Sequence, residues 1–411
     1  MSADTGLAAA PVTKVKADAV TPTQLDRPKL TWKMRLNLLL QMLLGAALGA
    51  GSMFLLLRSG FSLVPQGTPK PLVLAAVSVS IALAMVLTIV LHELGHAVLG
   101  RAAGGVLLRF VVGPWRCSRY RSGFRWTRVR SLKGIGGFVQ TLLPADARFR
   151  ASMSLMLIGG PLANLLTAAA CAAPLALGAA WPMKIFALTL LLISLFVGVI
   201  NLIPLRVGGF MTDGLQLLRL WTRIDAREHG QRLDRLARAS VDGIRPRELD
   251  DADLAAFDPD TATGFDRFIA LLLRSAVLAD RGDHVAARQL LDRALADWAQ
   301  WPDGFRQLLA LAAANLSAEV DADAAAASAW LAKVEGGLVE DFQVAWVEAL
   351  IAGLEGRDED RAHALERVRN GLDDTIYRGD ERVYREKLAA LAQERDGHVA
   401  TAEMPGLPVA T

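Results

Sequence analysis

Between Arg27 and Ile224 the chain carries only three acids, Glu93, Asp146 and Asp213. The same region holds four apolar stretches, 36–57, 72–99, 152–180 and 185–205. Each meets the length of roughly 20 apolar residues that a bilayer-crossing helix needs. Lipid offers no partner for backbone N–H and C=O groups, so such segments must be helices. Into the end of the second stretch falls His92-Glu93-Leu94-Gly95-His96, which contains the only two histidines of residues 1–224. An ionisable side chain inside an apolar segment is costly, so this pentapeptide marks a functional site.

Charge divides the chain in two. Residues 1–224 hold 23 Lys and Arg against 6 Asp and Glu, a net +17, whereas residues 225–411 hold 22 against 36, a net −14. The first half reads as membrane-embedded with cytoplasmic loops, the second as soluble, Ala-rich and helical. The stretch 101–150 contains eleven Arg and Lys and the single acid Asp146. The positive-inside rule then puts the N-terminus, this loop and the acidic half in the cytoplasm. Residues 1–33 lack an apolar core and read as a disordered cytoplasmic leader, not a cleavable signal. Cys117 lies in the basic loop and Cys171 in an apolar segment. No disulfide is expected of them, and nothing requires an oxidising compartment.

Within the basic loop, 106–112, 124–129 and 137–143 are short runs with β-branched and aromatic residues between turn signals. They suggest a small membrane-associated β-sheet; a solvated loop binding lipid headgroups suits the pattern equally. Residues 225–264 read as a linker, charged and broken by Pro246 and Pro259. Residues 265–395 read as helical. Runs starting at Asp283, Asp321 and Asp358 recur at a spacing of roughly 35–40 residues, each opening the second helix of a hairpin. They resemble degenerate tetratricopeptide-type repeats without the Trp-Leu-Gly-Tyr signature; a plain helical bundle is the alternative. Residues 396–411 read as a flexible tail. The expected fold is an all-α polytopic membrane protein of about four transmembrane helices. To it are added a small membrane-associated β-sheet and a soluble α-helical, repeat-like C-terminal domain.

The pentapeptide has defined mechanics. Residues four apart share a helical face, so both imidazoles can bind one Zn²⁺ while Glu93 takes a proton from water there. The bland alternative makes both histidines core residues capped by backbone or by Glu93. A catalytic zinc normally takes three protein ligands and keeps one position open. Asp213 is the obvious third ligand, just past the last span, where Pro204, Gly208 and Gly209 break the helix and let the chain turn back. Alternatively Asp213, beside Thr212, simply caps a helix over 215–221. Asp146 has no comparable context.

His-Glu-x-x-His, the Asn201-x-x-Pro204 to Asp213-Gly214 stretch and Gly159-Gly160-Pro161-Leu162-Ala163-Asn164 occur in that set across about 72–220. Together they resemble the site-2 protease family of intramembrane zinc metalloproteases. The resemblance implies His92, His96 and Asp213 as Zn²⁺ ligands and Glu93 as general base. It implies Asn164 and Asn201 as polar groups at the substrate or oxyanion. It also makes Gly136-Gly137-Phe138 part of a membrane-facing strand that pairs with unwound substrate. From packing alone, Gly159, Gly160 and Asn164 could equally form a helix–helix contact. One departure stands out: the gap from Pro204 to Asp213 exceeds the family's common Pro-x-x-x-x-Asp-Gly form, with extra residues around Gly208-Gly209-Phe210.

The expected activity is hydrolysis of a peptide bond in or near the transmembrane segment of a membrane protein. The partners would be that substrate, the lipid bilayer and a protein bound to the C-terminal helices, with no nucleic acid. The protein would be multi-pass, with both termini cytoplasmic, in a bacterial inner membrane. Two alternatives remain at this level: a peptidase maturing small secreted peptides or leaders, and a non-proteolytic membrane scaffold with a vestigial zinc site.

Overall fold

The computed structural model describes residues 63–402, save 129–135, 145, 147, 208–209, 302 and 335–337, together with Trp32 and Leu39. The expected first span, 36–57, lies outside the described residues apart from Leu39. Among the described residues, three helices are long and apolar enough to cross a membrane. The first is α1 (Lys70–Ala102), whose Pro71 sits in the opening turn, where a missing N–H costs nothing. It stops at Gly104, which adopts a φ of +85° that side-chain-bearing residues avoid. A four-stranded antiparallel sheet follows: β1 (Val106–Val112), β2 (Trp115–Tyr120), β3 (Gly123–Arg128) and β4 (Gly137–Leu142). The second such helix is α2 (Phe149–Ala170), continued by the short α3 (Ala172–Ala176), and the third is α4 (Trp181–Leu202).

The crossing helices are packed inside out relative to a soluble bundle. The buried stripe of α1 is Ser80, Ala84, Thr88, His92, His96 and Gly100, one residue every four, with Glu93 and Ala97 beside it. Leu83, Val86, Leu94 and Val98 face outward. Between helices in lipid, small and polar residues carry the contact, because apolar side chains gain nothing by leaving hydrocarbon. Thr88 and Ser194 hydroxyls meet at 3.0 Å across the α1–α4 contact. Where α1 crosses α2, Gly95 lies against Gly159 so closely that a Cβ on Gly95 would sit 2.7 Å from the Ala163 Cβ.

The sheet order is β3-β2-β1-β4, so β4 is an end strand. Its inner edge pairs with β1, Val111 opposite Phe138 and Val112 opposite Gly137. β2 is a strand the sequence pattern does not reveal, because its inner positions include Arg116 and Ser118.

After α4 come the two-residue strands β5 (Arg206–Val207) and β6 (Phe210–Met211), then α5 (Asp213–Thr222) and α6 (Ile224–Asp242). Residues 225–264, read as a linker, thus include most of a 19-residue helix. From α6, Asp234 accepts from the Leu143 amide at 2.9 Å and Arg238 donates to the Leu143 carbonyl at 3.0 Å, which clamps the chain leaving β4. Burial pushes the Asp234 carboxyl up to about 6, against the pull of that amide and of Arg238. A short α7 (Asp251–Ala255) leads into three successive helix pairs. These are α8 (Phe265–Asp280) with α9 (His284–Ala296), α10 (Asp303–Glu319) with α11 (Ala324–Leu331), and α12 (Asp341–Leu354) with α13 (Asp358–Asp374). Asp283 caps α9 and Asp323 caps α11, each accepting an amide three residues on. The last helix, α14 (Arg378–Ala402), runs into the stretch 396–411 expected as a tail.

The two charge classes meet face to face. Arg109 of β1 pairs with Glu340 and donates to the Leu338 carbonyl at 3.0 Å; Arg116 of β2 donates to the Val339 carbonyl at 2.8 Å. Asp374 takes the Ser122 amide at 2.8 Å and pairs with Arg125, and Arg121 pairs with Glu381. The basic loop is therefore a sheet, and much of its positive charge is answered by the acidic half. Both cysteines are free and buried.

Candidate metal centre

His92 and His96 sit one turn apart on α1, both buried, with their Nε2 atoms 3.1 Å apart. Asp213 reaches them from the first residue of α5, its Oδ2 3.3 Å from His92 Nε2 and 3.5 Å from His96 Nε2. The three ligand atoms all lie within 4.8 Å of one another.

The local chain explains why Asp213 arrives there. Arg206 pairs with Met211 and Val207 with Phe210, so β5 and β6 run antiparallel just before Asp213. The Thr212 amide thereby donates to the Leu205 carbonyl at 3.0 Å. Thr212, not Asp213, caps α5: its hydroxyl accepts from the Leu215 amide at 3.3 Å and donates to the Ile203 carbonyl at 2.7 Å. Asp213 is left free of the capping role. Gly214 lets α5 press on the end of α4, since a Cβ there would run into the Leu202 backbone.

Two observations fit these residues to a divalent metal. First, Asp213 Oδ2 is buried without a hydrogen-bond partner. His96 Nδ1 lies 2.8 Å from the Met156 carbonyl and 3.3 Å from the Gly160 amide, and its Nε2 faces Asp213. Second, α2 leaves room at the Nε2 atoms through Gly160: a Cβ there would stand 2.7 Å from His92 Nε2 and closer still to His96 Nε2. Two imidazole nitrogens and one carboxylate oxygen are the donor set that zinc takes in hydrolytic sites.

Glu93 lies beside this cluster and against β4. A Cβ on Gly137 would come within 2.5 Å of Glu93 Oε1, so only glycine lets the strand pass the carboxylate. Gly136 and Phe138 flank that position; Phe138 also packs edge-on against Phe305 of α10, ring centroids 6.3 Å apart. The outer edge of β4 has no strand partner among the described residues.

Of the residues the sequence nominates, His92, Glu93, His96, Asp213 and Gly137 converge. Asn164 is near but turned away from any open space: it is 0% exposed and its amide lies 3.0 Å from His92 Nδ1. Asn201 donates to the Val197 carbonyl at 3.0 Å within its own helix. Asp146 is taken up by the Arg148 amide and side chain. Sequence reasoning missed Met156, which acts through its backbone carbonyl and leaves no trace in residue type. It offered Gly160 only as part of a helix–helix contact, not as the space beside the two Nε2 atoms.

Residues 80–180 match the family model described as Peptidase family M50, the site-2 protease family, and that match supports a membrane metalloprotease. The match spans the pentapeptide, the sheet and Asn164, and ends before Asp213. No curated protein and no solved structure matched the chain.

Proposed function

From the premise of an M50 peptidase segment at residues 80–180, we propose an intramembrane zinc endopeptidase. It hydrolyses a peptide bond in or near the transmembrane segment of a membrane protein. The observation that carries this reading is the meeting of Asp213 Oδ2 with the two Nε2 atoms, at the point where Gly160 leaves space for an ion. His92, His96 and Asp213 hold the zinc, which when bound supplies Lewis-acid polarisation of the scissile carbonyl and lowers the pKa of a water to about 7.

The chain's own residues do the rest. A transmembrane helix hides its amides in its own hydrogen bonds, so the substrate must be unwound before attack. The outer edge of β4 offers backbone groups to an extended segment, as in β-strand addition. Gly137 fixes that segment beside Glu93, close enough for the carboxylate to take a proton from the attacking water and return it to the leaving amine. The C-terminal helices screen substrates or receive a partner. Support comes from their contact with the site strand through Phe305 and Phe138. We place both termini and the sheet on the cytoplasmic side of a bacterial inner membrane, on the strength of the eleven basic residues in 101–150.

The test is substrate trapping. The full chain with Glu93→Gln, expressed in its host membrane, should co-purify with single-pass or multi-pass membrane proteins that the wild type cleaves. Cleavage of those captured proteins by purified wild type, mapped to a bond in or next to a transmembrane segment, supports the reading. Capture only of soluble leader peptides would replace it.

A further inference from the structure

The Asn164 amide is enclosed on all sides and has one polar partner among the described residues, the His92 ring. Its nitrogen lies 3.0 Å from His92 Nδ1, and its oxygen is buried without a partner. A group at 0% exposure does not meet a substrate carbonyl unless the helices part, which speaks against a role at the oxyanion. Its place in α2 is informative. Asn164 lies one turn beyond Gly160, so the helix that leaves room at the two Nε2 atoms also sets an amide behind one of the rings.

The two imidazoles are held by different means. His96 has a backbone carbonyl, Met156 O, behind Nδ1 at 2.8 Å, with the Gly160 amide beside it at 3.3 Å, and these backbone contacts hold the plane of the ring. His92 has no such carbonyl; the Asn164 side chain occupies the equivalent place. For His92 Nε2 to give its lone pair to a cation, the ring proton must reside on Nδ1, and Nδ1 then requires an acceptor. The amide supplies one by a half-turn that exchanges its oxygen and nitrogen, groups of nearly equal size. A metal-ligating histidine without such a partner is free to rotate and bind through the wrong nitrogen.

We propose that Asn164 is the positioning residue of the metal centre: its amide oxygen accepts from His92 Nδ1–H and holds Nε2 toward the ion, as Met156 O does for His96. This rests on the zinc reading of the site. The experiment measures zinc affinity by chelator competition on the full chain in detergent. It compares wild type, Asn164→Leu, Asn164→Ala, Asn164→Asp and His92→Ala, with cobalt(II) absorption as a second readout.

Asn164→Leu, similar in size but without an acceptor, should weaken zinc binding about 10–100-fold. Asn164→Asp, whose carboxylate still accepts from Nδ1–H, should return affinity and the tetrahedral cobalt spectrum to near wild type. Asn164→Ala should behave like Asn164→Leu and keeps the test decisive if the leucine variant does not fold. Wild-type affinity in both non-accepting variants, or an aspartate variant as weak as they are, overturns the positioning role alone. Zinc affinity that survives while turnover collapses does the same and returns Asn164 to the oxyanion. A wild-type chain that takes up no zinc, like His92→Ala, removes the reading of the centre and the positioning role with it.

Discussion

Two clusters of buried polar side chains lie on either side of β1 and β4, and they differ in how fully they are satisfied. On the side of the C-terminal helices, both terminal nitrogens of Arg109 find acceptors in Glu340 and the Leu338 carbonyl, and Arg116 finds Thr127 and the Val339 carbonyl. On the membrane side, Asp213 Oδ2 faces two imidazole nitrogens with no hydrogen bond at all. Burial without a partner costs free energy on both sides. The first cluster pairs its charges and, among the described residues, leaves only Arg109 Nε and Ser118 Oγ without partners, which makes it architecture; the second leaves a carboxylate oxygen open at a point where Gly160 removes the neighbouring side chain, and is arranged for something else to complete it. The same accounting thus separates the joint between the two halves from the centre of the chemistry.

The strongest way to break the comparison is to fill the open cluster. Gly160→Val should place a side chain against both Nε2 atoms and abolish metal retention and peptide hydrolysis together, read by elemental analysis and by cleavage of a trapped substrate. Glu93→Gln should separate the two properties. Metal stays bound, and turnover falls by a factor on the order of 10²–10⁴, the usual contribution of a general base.

On the closed cluster the effects should be energetic instead of chemical. Arg109→Ala leaves Glu340 buried and unpaired, a loss of about 3–5 kcal/mol. The measurement is the unfolding midpoint of the full chain in detergent, with limited proteolysis reporting release of the helical half from the sheet. The double replacement Arg109→Met with Glu340→Leu should recover most of that loss, because apolar residues of similar volume do not need each other as partners. A double variant as unstable as the single one would mean that the pair matters for more than mutual neutralisation.

A smaller effect sharpens the picture through pH. Burial, with Glu340 and Asp280 nearby, holds the Asp380 carboxyl at about 6, opposed by the Ser240 hydroxyl. Its folded pKa is raised above the unfolded 3.8, so the native state binds the proton more tightly. Stability should therefore fall as pH rises from about 4 to about 6 and level off above, by at most roughly 3 kcal/mol. Asp380→Asn should lack that fall: equal to wild type near pH 4, more stable at pH 7.5 in urea unfolding followed by fluorescence. A variant that tracks the wild type across this window would remove Asp380 as the source.

How much of this was legible in the sequence follows the same division. The pentapeptide and Asp213 stood out because acids and histidines are so rare among apolar residues. The helix start at Asp283 showed because capping is a local property. The strand β2 did not show, since its buried positions include Ser118 and Arg116, the latter held by a carbonyl more than 200 residues away. Helix α6 looked like a linker because its anchoring contacts, Asp234 and Arg238 to Leu143, are polar. The lengthened segment before Asp213 read as a departure from the family pattern, and the antiparallel β5–β6 pairing explains how it is accommodated. Asn164 was singled out by type, but only the placement of its amide behind His92 separates a ring holder from a substrate contact.

The central claim is that Asp213, from beyond the third long apolar helix described, completes a metal site with His92 and His96. Elemental analysis of the purified full chain beside Asp213→Ala tests it most directly. The account predicts close to one divalent metal per wild-type chain and almost none in the variant, with both equally folded by circular dichroism. Equal metal content in the two proteins would contradict it.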